Sequence, residues 1–117
     1  MTPEQVANRW IDAFNQHDVA ILISLYARDA IHMGPKLRVA SPGSDGQIVG
    51  QLALPVWWID TFRRLSGLRY ELIGMTCTFE RAFIECLRHL PGEEPTTVAE
   101  IFEVQRGLII SSRVYNG

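Results

Sequence analysis

Leu52-Ala-Leu-Pro-Val-Trp-Trp-Ile-Asp-Thr-Phe-Arg-Arg-Leu65 runs through Ser66-Gly67 into Leu68-Arg-Tyr-Glu-Leu-Ile-Gly-Met-Thr-Cys-Thr78, and its two halves obey different periods. In the first half Val56, Trp57, Trp58, Ile59, Phe62 and Leu65 make a helix apolar nearly all round, which predicts cover on more than one side. Pro55 fits the first turn of such a helix, so the start is expected nearer Leu54 than Leu52. After Gly67 the apolar residues alternate. Leu68 to Thr78, Arg81 to Arg88, Thr96 to Val104 and Leu108 to Tyr115 read as four strands. Their joints are a tight turn near Phe79-Glu80, the loop Leu90-Pro-Gly-Glu-Glu-Pro95, and Gln105-Arg-Gly107. Short joints between successive strands imply an antiparallel meander.

Upstream the pattern is helical. Thr2-Pro3-Glu4-Gln5 supplies a hydroxyl N-cap, proline at the first helical position and glutamine at the capping-box position. Val6, Trp10, Ala13 and Phe14 then recur at helical spacing, which predicts an amphipathic helix over 3–16. Asp18 is placed to cap a short helix from Val19 to about Tyr26, with Leu22, Leu25 and Tyr26 on its buried face. Asp29 reads as a cap or turn at its end. Ala30 to Met33 reads as a short strand stopped by Gly34-Pro35, and Gln47 to Gly50 as another. Between them, residues 34–46 hold two prolines, three glycines and two serines. That composition predicts an exposed, mobile loop able to act as a lid. Three helices followed by long strands give an α+β domain spanning 1–117, with the helices on one face of a curved, mainly antiparallel sheet of four to six strands.

The chain has 117 residues, 47% of them hydrophobic and 21% charged, which is the composition of one globular domain rather than a disordered segment. With 11 Lys+Arg against 13 Asp+Glu and no basic stripe, no nucleic-acid partner is expected. The longest nearly apolar run, Val19 to Ala27, is far short of the roughly 20 residues that span a bilayer, so no membrane partner is expected either. The opening MTPEQVANRW lacks the basic and apolar regions of a signal peptide, which predicts a cytoplasmic protein. Cys77 and Cys86 are then expected as free thiols. His17, His32 and His89 are scattered, with no CxxC or HExxH spacing, so neither a metal nor another cofactor is expected.

The informative positions are polar residues on faces that should be buried. On the Thr96–Val104 strand one face carries Val98, Glu100, Phe102 and Val104, so Glu100 should point inward. A buried carboxylate without partners is costly and titrates high, which suits a proton donor; a structural ion pair or an edge position facing water is the other account. His32, just before the Gly34-Pro35 break, is the readiest proton-transfer residue in the chain, or else a core histidine bonded to a backbone carbonyl. Trp10, Phe14, Trp58 and Phe102 are candidates for the walls of a substrate pocket, and plain core serves them equally. Arg81, Phe83 and Glu85 share one strand face, which suggests a surface ion pair. If Glu100 faces in, Ala99, Ile101 and Ile109 should face out, and an apolar outer face predicts a symmetric homodimer through the sheet.

The stretch Trp10-Ile-Asp-Ala-Phe-Asn-Gln-His-Asp18, then Leu25-Tyr-Ala-Arg-Asp-Ala30, then Gly50 before a tryptophan-rich helix, resembles the nuclear transport factor 2-like superfamily. Within it the chain is similar to the SnoaL-like (polyketide cyclase) and ketosteroid isomerase branch, over about residues 5 to 115. The ending Phe102-Glu-Val-Gln-Arg-Gly-Leu-Ile-Ile110 is similar to that branch's final hairpin. The resemblance implies a cone, a strongly bent sheet wrapped around helices with a pocket at its wide end, and pairing through the sheet's outer face. The isomerases' general-base aspartate stands directly before a proline, where this chain has Gly34 before Pro35; His32 lies two residues earlier. Trp10 matches the isomerase oxyanion tyrosine and Glu100 its second oxyanion group. Against the limonene epoxide hydrolase branch, Arg81 matches the arginine, but Phe83 and Val114 stand where carboxylates belong. The function implied is binding of an apolar organic molecule, with isomerase, cyclase, dehydratase or hydrolase chemistry by His32 and Glu100. The alternative is a non-catalytic ligand-binding or dimerisation module.

Overall fold

The computed structural model describes residues 1–34 and 46–117. Helix α1 (Pro3–Asn15) starts on the expected capping box: Thr2 Oγ1 accepts from the Gln5 N–H, and Gln5 Oε1 accepts from the Thr2 N–H. Helix α2 (Val19–Ser24) is capped by Asp18, whose carboxylate accepts from the Ile21 N–H. Strand β1 (Tyr26–Met33) follows at once. It is longer than the sequence suggested, and takes in Tyr26 and the exposed Asp29, neither of which belongs to α2. Leu25 closes α2, and its carbonyl accepts from the Ile109 N–H, so the chain leaves the helix already paired to the sheet. The expected lid falls on residues that are largely outside the described ones.

Strand β2 (Gln47–Val49) leads into helix α3 (Gly50–Arg64), which begins four residues before Leu54. Pro55 is its sixth residue, in the second turn and half-buried, so the helix runs through it with one backbone bond missing. Only one side of α3 is covered, by way of Leu54, Trp58, Thr61 and Phe62; Leu52 and Val56 stay exposed, contrary to the expectation of cover on several sides. Gly67 then turns the chain with a φ of +84°, and a Cβ there would stand 2.8 Å from Pro91 Cγ. Only glycine is at ease in that conformation.

Strands β3 (Arg69–Cys77), β4 (Arg81–His89), β5 (Thr96–Gln105) and β6 (Leu108–Asn116) form the expected meander. The six-stranded sheet has the order β2-β1-β6-β5-β4-β3, antiparallel except between β1 and β6. Register shifts lie between Leu72 and Gly74 and between Glu103 and Val104, where bulges bend the sheet. The second shift overturns one expectation. It pairs Ile109 with Val104, so Ile109 is fully buried on the inner face instead of facing out. Phe83 and Tyr115 do stand exposed on the outer face. There Arg81 bridges to Glu103 at 2.8 Å across strands, not to Glu85, which removes it from any site inside the sheet. Cys77 and Cys86 are both free thiols, one exposed and one buried. Among the described residues no helix is long and apolar enough to cross a membrane.

Two polar side chains tie the helices to β3. The Asn15 amide both donates to the Tyr70 carbonyl at 2.9 Å and accepts from its N–H at 2.8 Å, acting as an extra strand partner. His17, stacked on Phe62, donates from Nε2 to the Leu68 carbonyl at 2.6 Å.

Candidate functional site

The inner face of the sheet has two ends. Toward one, Trp10 packs among Phe14, Tyr70, Trp58 and Phe102, with ring centroids 4.9 to 6.1 Å away. Toward the other, where β1, β4 and β6 finish and β3 begins, the packing opens into a cavity of about 170 Å³. Its apolar walls are Phe14, Trp57, Trp58, Leu65 and Leu68. Its polar lining comes from His32, Thr61, Tyr70, Arg64, Arg88 and Asn116.

His32 is 3% exposed and lines this cavity, with its ring 5.2 Å from that of Trp58. It ends a buried chain of hydrogen bonds. Trp10 Nε1–H donates to the Tyr26 hydroxyl at 3.1 Å, Tyr26 meets Ser112 Oγ at 3.3 Å, and Ser112 Oγ meets His32 Nδ1 at 2.7 Å. Indole only donates, so the chain has a direction. Tyr26 accepts from Trp10 and satisfies its own buried proton on Ser112; Ser112 then donates to Nδ1. The opposite direction would orphan the phenol proton, at a cost of about 1–3 kcal/mol. With Ser112 donating, this direction assigns the proton of the neutral imidazole to Nε2. Burial holds the His32 pKa down to about 4, so the ring stays neutral at neutral pH. Such a group is a hydrogen-bond donor to an oxygen, and a weak base.

Glu100 points inward as the alternation requires, 1% exposed between the neighbours Ile84 and Val114. Neither carboxyl oxygen has a partner among the described residues, and burial raises its pKa well above the ordinary range. Burial thus favours its neutral, proton-donating form. The described cavity lining includes His32, Phe14 and Trp58 but not Glu100, Trp10 or Phe102. Trp10 is fully buried and its N–H is already given to Tyr26, so it offers no donor to a ligand. Phe102 is buried 4.9 Å from Trp10. Of the two groups that the sequence reading joins in one acid–base pair, His32 lines the cavity, while Glu100 lies one strand away from the lining residue Val114 without lining it itself.

Sequence reasoning passed over Tyr26, Ser112, Thr61, Tyr70 and Arg88. For Arg88 a signal existed: Ala82, Ile84, Cys86 and Arg88 alternate along β4, so a cation continues a row of buried residues. Ser112 had none, because the bulge sets which β6 residues face inward. Two lining residues also carry buried polar atoms with no partner among the described residues, Trp58 Nε1 and Thr61 Oγ1.

Comparisons with known proteins place this geometry. The model of the SnoaL-like domain matches residues 7–112. No curated protein matches the chain. Among solved structures, a SnoaL-like protein of unknown function from Burkholderia thailandensis is 20% identical, with a TM-score of 0.86, covering 98% of this chain and 93% of that one. A nuclear transport factor 2-like protein of unknown function from Cytophaga hutchinsonii is 14% identical, with a TM-score of 0.76 over 100% and 91% of the two chains. A hypothetical protein from Catenulispora acidiphila with a ketosteroid isomerase-like fold, solved with trimethylamine, is 17% identical, with a TM-score of 0.79 over 98% and 86%. At these identities the likeness concerns the fold.

Proposed function

The chain belongs to the SnoaL-like domain family, and from that premise we propose that it binds a small, ring-bearing organic molecule whose acceptor oxygen meets His32. The observation that carries the reading is a neutral histidine, aimed by Ser112, on the wall of an aromatic cavity. Phe14, Trp57 and Trp58 supply flat apolar area, while His32 Nε2–H supplies the donor that orients the ligand and polarises a carbonyl. A cavity of about 170 Å³ suits one ring rather than several, since apolar cavities of about 150 Å³ hold benzene. Polarisation raises the acidity of a C–H next to that carbonyl, which is the entry to isomerase or dehydratase chemistry. A non-catalytic module is the second reading. It is favoured by Glu100, which stands outside the described lining and so offers no second proton-transfer group there.

The test is calorimetric titration with acetophenone and with ethylbenzene, which keeps the ring and lacks the oxygen. Acetophenone should bind the parent more tightly. His32→Phe should weaken it by roughly tenfold, the order of one lost hydrogen bond, and leave ethylbenzene unchanged. Equal affinity of the parent for both probes would remove His32 from the reading. Deuterium exchange into the acetophenone methyl group, catalysed by the parent and lost in His32→Phe, would separate turnover from simple binding.

A further inference from the structure

Arg88 ends the inward-facing row of β4, beside Tyr70 on β3, and its side chain is 14% exposed. Arg64, near the end of α3, reaches the same cavity. The described lining therefore holds two arginines, no carboxylate, and a histidine that burial keeps neutral. Each arginine has its present partner outside the lining: Arg64 meets Asp60 at 2.8 Å, and Arg88 meets Glu93 at 3.2 Å.

These two pairs differ. Asp60 and Arg64 are one helical turn apart and both about half exposed, a solvated pair of little energy. Arg88 is mostly buried, and its partner Glu93, 54% exposed, sits in the loop after β4 and reaches it through one contact. A guanidinium presents a planar fork that a carboxylate can fill with two parallel hydrogen bonds. Glu93 leaves that fork half used. A cation beside apolar walls also concentrates anions, because low-dielectric surfaces focus its field.

We propose that the ligand of this cavity is a small cyclic or aromatic carboxylic acid, whose ring lies against Phe14, Trp57 and Trp58 and whose carboxylate displaces Glu93 from Arg88. This rests on the cavity being a binding site, and it adds the ligand's charge and the residue that selects it. Glu93 becomes the internal competitor that holds Arg88 in place in the absence of ligand. Arg88 is then the specificity-determining residue, and it distinguishes an acid from the amide of the same shape.

The experiment compares phenylacetate with phenylacetamide by calorimetric titration at low salt, on the full chain. The parent should bind phenylacetate at least about tenfold more tightly than the amide. Arg88→Gln should bring the two to within about twofold of each other by weakening only the acid. Glu93→Gln, which leaves Arg88 in place and removes its competitor, should tighten phenylacetate and leave phenylacetamide unmoved; it tests the same point if Arg88→Gln fails to fold. Equal binding of acid and amide by the parent overturns the inference while leaving the cavity reading intact. A preference that survives Arg88→Gln in a folded variant overturns it too. Binding of neither probe overturns the inference together with the reading on which it rests.

Discussion

The packed end and the open end of the inner face are built from the same residue types and differ in what lies beyond them. Around Trp10 every ring meets another ring, and a carboxylic acid, Glu100, is buried on the same inner face with no partner among the described residues. Around His32 the rings stop at one wall, and the rest of the lining is mixed, with two arginines in it. Burial acts on His32 and Glu100 in the direction that favours the neutral form of each: it lowers His32 and raises Glu100. Polar groups at the packed end therefore report on stability, and those at the open end on ligands.

The sharpest way to break that contrast is to remove a tryptophan from each end. Trp10 is fully buried, so Trp10→Ala should cost about 3–5 kcal/mol in chemical denaturation. Trp57 is half-buried at the cavity, so Trp57→Ala should cost less than about 1.5 kcal/mol while weakening ring-bearing ligands. Equal losses of stability would erase the distinction between the ends.

Proton linkage separates the ends in a second way, with opposite signs. The folded pKa of His32, about 4, lies below its ordinary 6.5. Its contribution is fully present above 6.5 and is lost as pH falls toward 4, by about 3 kcal/mol in all. His32→Phe should remove that acid-side loss. Glu100 has a folded pKa above its ordinary value, so its contribution is full below about 4.5 and is lost as pH rises. Glu100→Gln should match the parent in acid and gain on it progressively at higher pH. Melting curves of both variants across pH check both signs, and parallel profiles for variants and parent would contradict them.

How far the sequence carried the reading depended on whether a local period governed the residue. The change of period at Ser66-Gly67 and the inward turn of Glu100 are period-governed, the Thr2 capping box is a local hydrogen-bond motif, and each stands in the structure. The spacing of Tyr26 from Leu22 is helical and points to α2; pairing with β6 claims it for the sheet. Ile109 escaped because a bulge is a tertiary event with no period of its own. The family resemblance is matched by the SnoaL-like domain over residues 7–112. Within the site, alternation told which face Glu100 and Arg88 occupy but not how far along that face the packing ends. That boundary depends on where α3 lies over the sheet, and it decides that His32 lines the cavity and Glu100 does not.

Trp58 stands on the boundary itself, and it carries the smallest effect. Its ring packs on Trp10, Phe14 and Phe62, yet it also lines the cavity beside His32. Its indole N–H is buried with no partner among the described residues. Trp58→Phe removes part of a well-packed ring, a loss of about 1 kcal/mol or more, and relieves a buried unsatisfied donor, a gain of about 1–3 kcal/mol. The two nearly cancel, so the variant should unfold within about 1 kcal/mol of the parent. A loss above about 2 kcal/mol would assign Trp58 wholly to the packed end, since there no relief would offset the missing ring. A near-neutral change together with weaker binding of phenylacetamide would mark it as the residue where core ends and site begins.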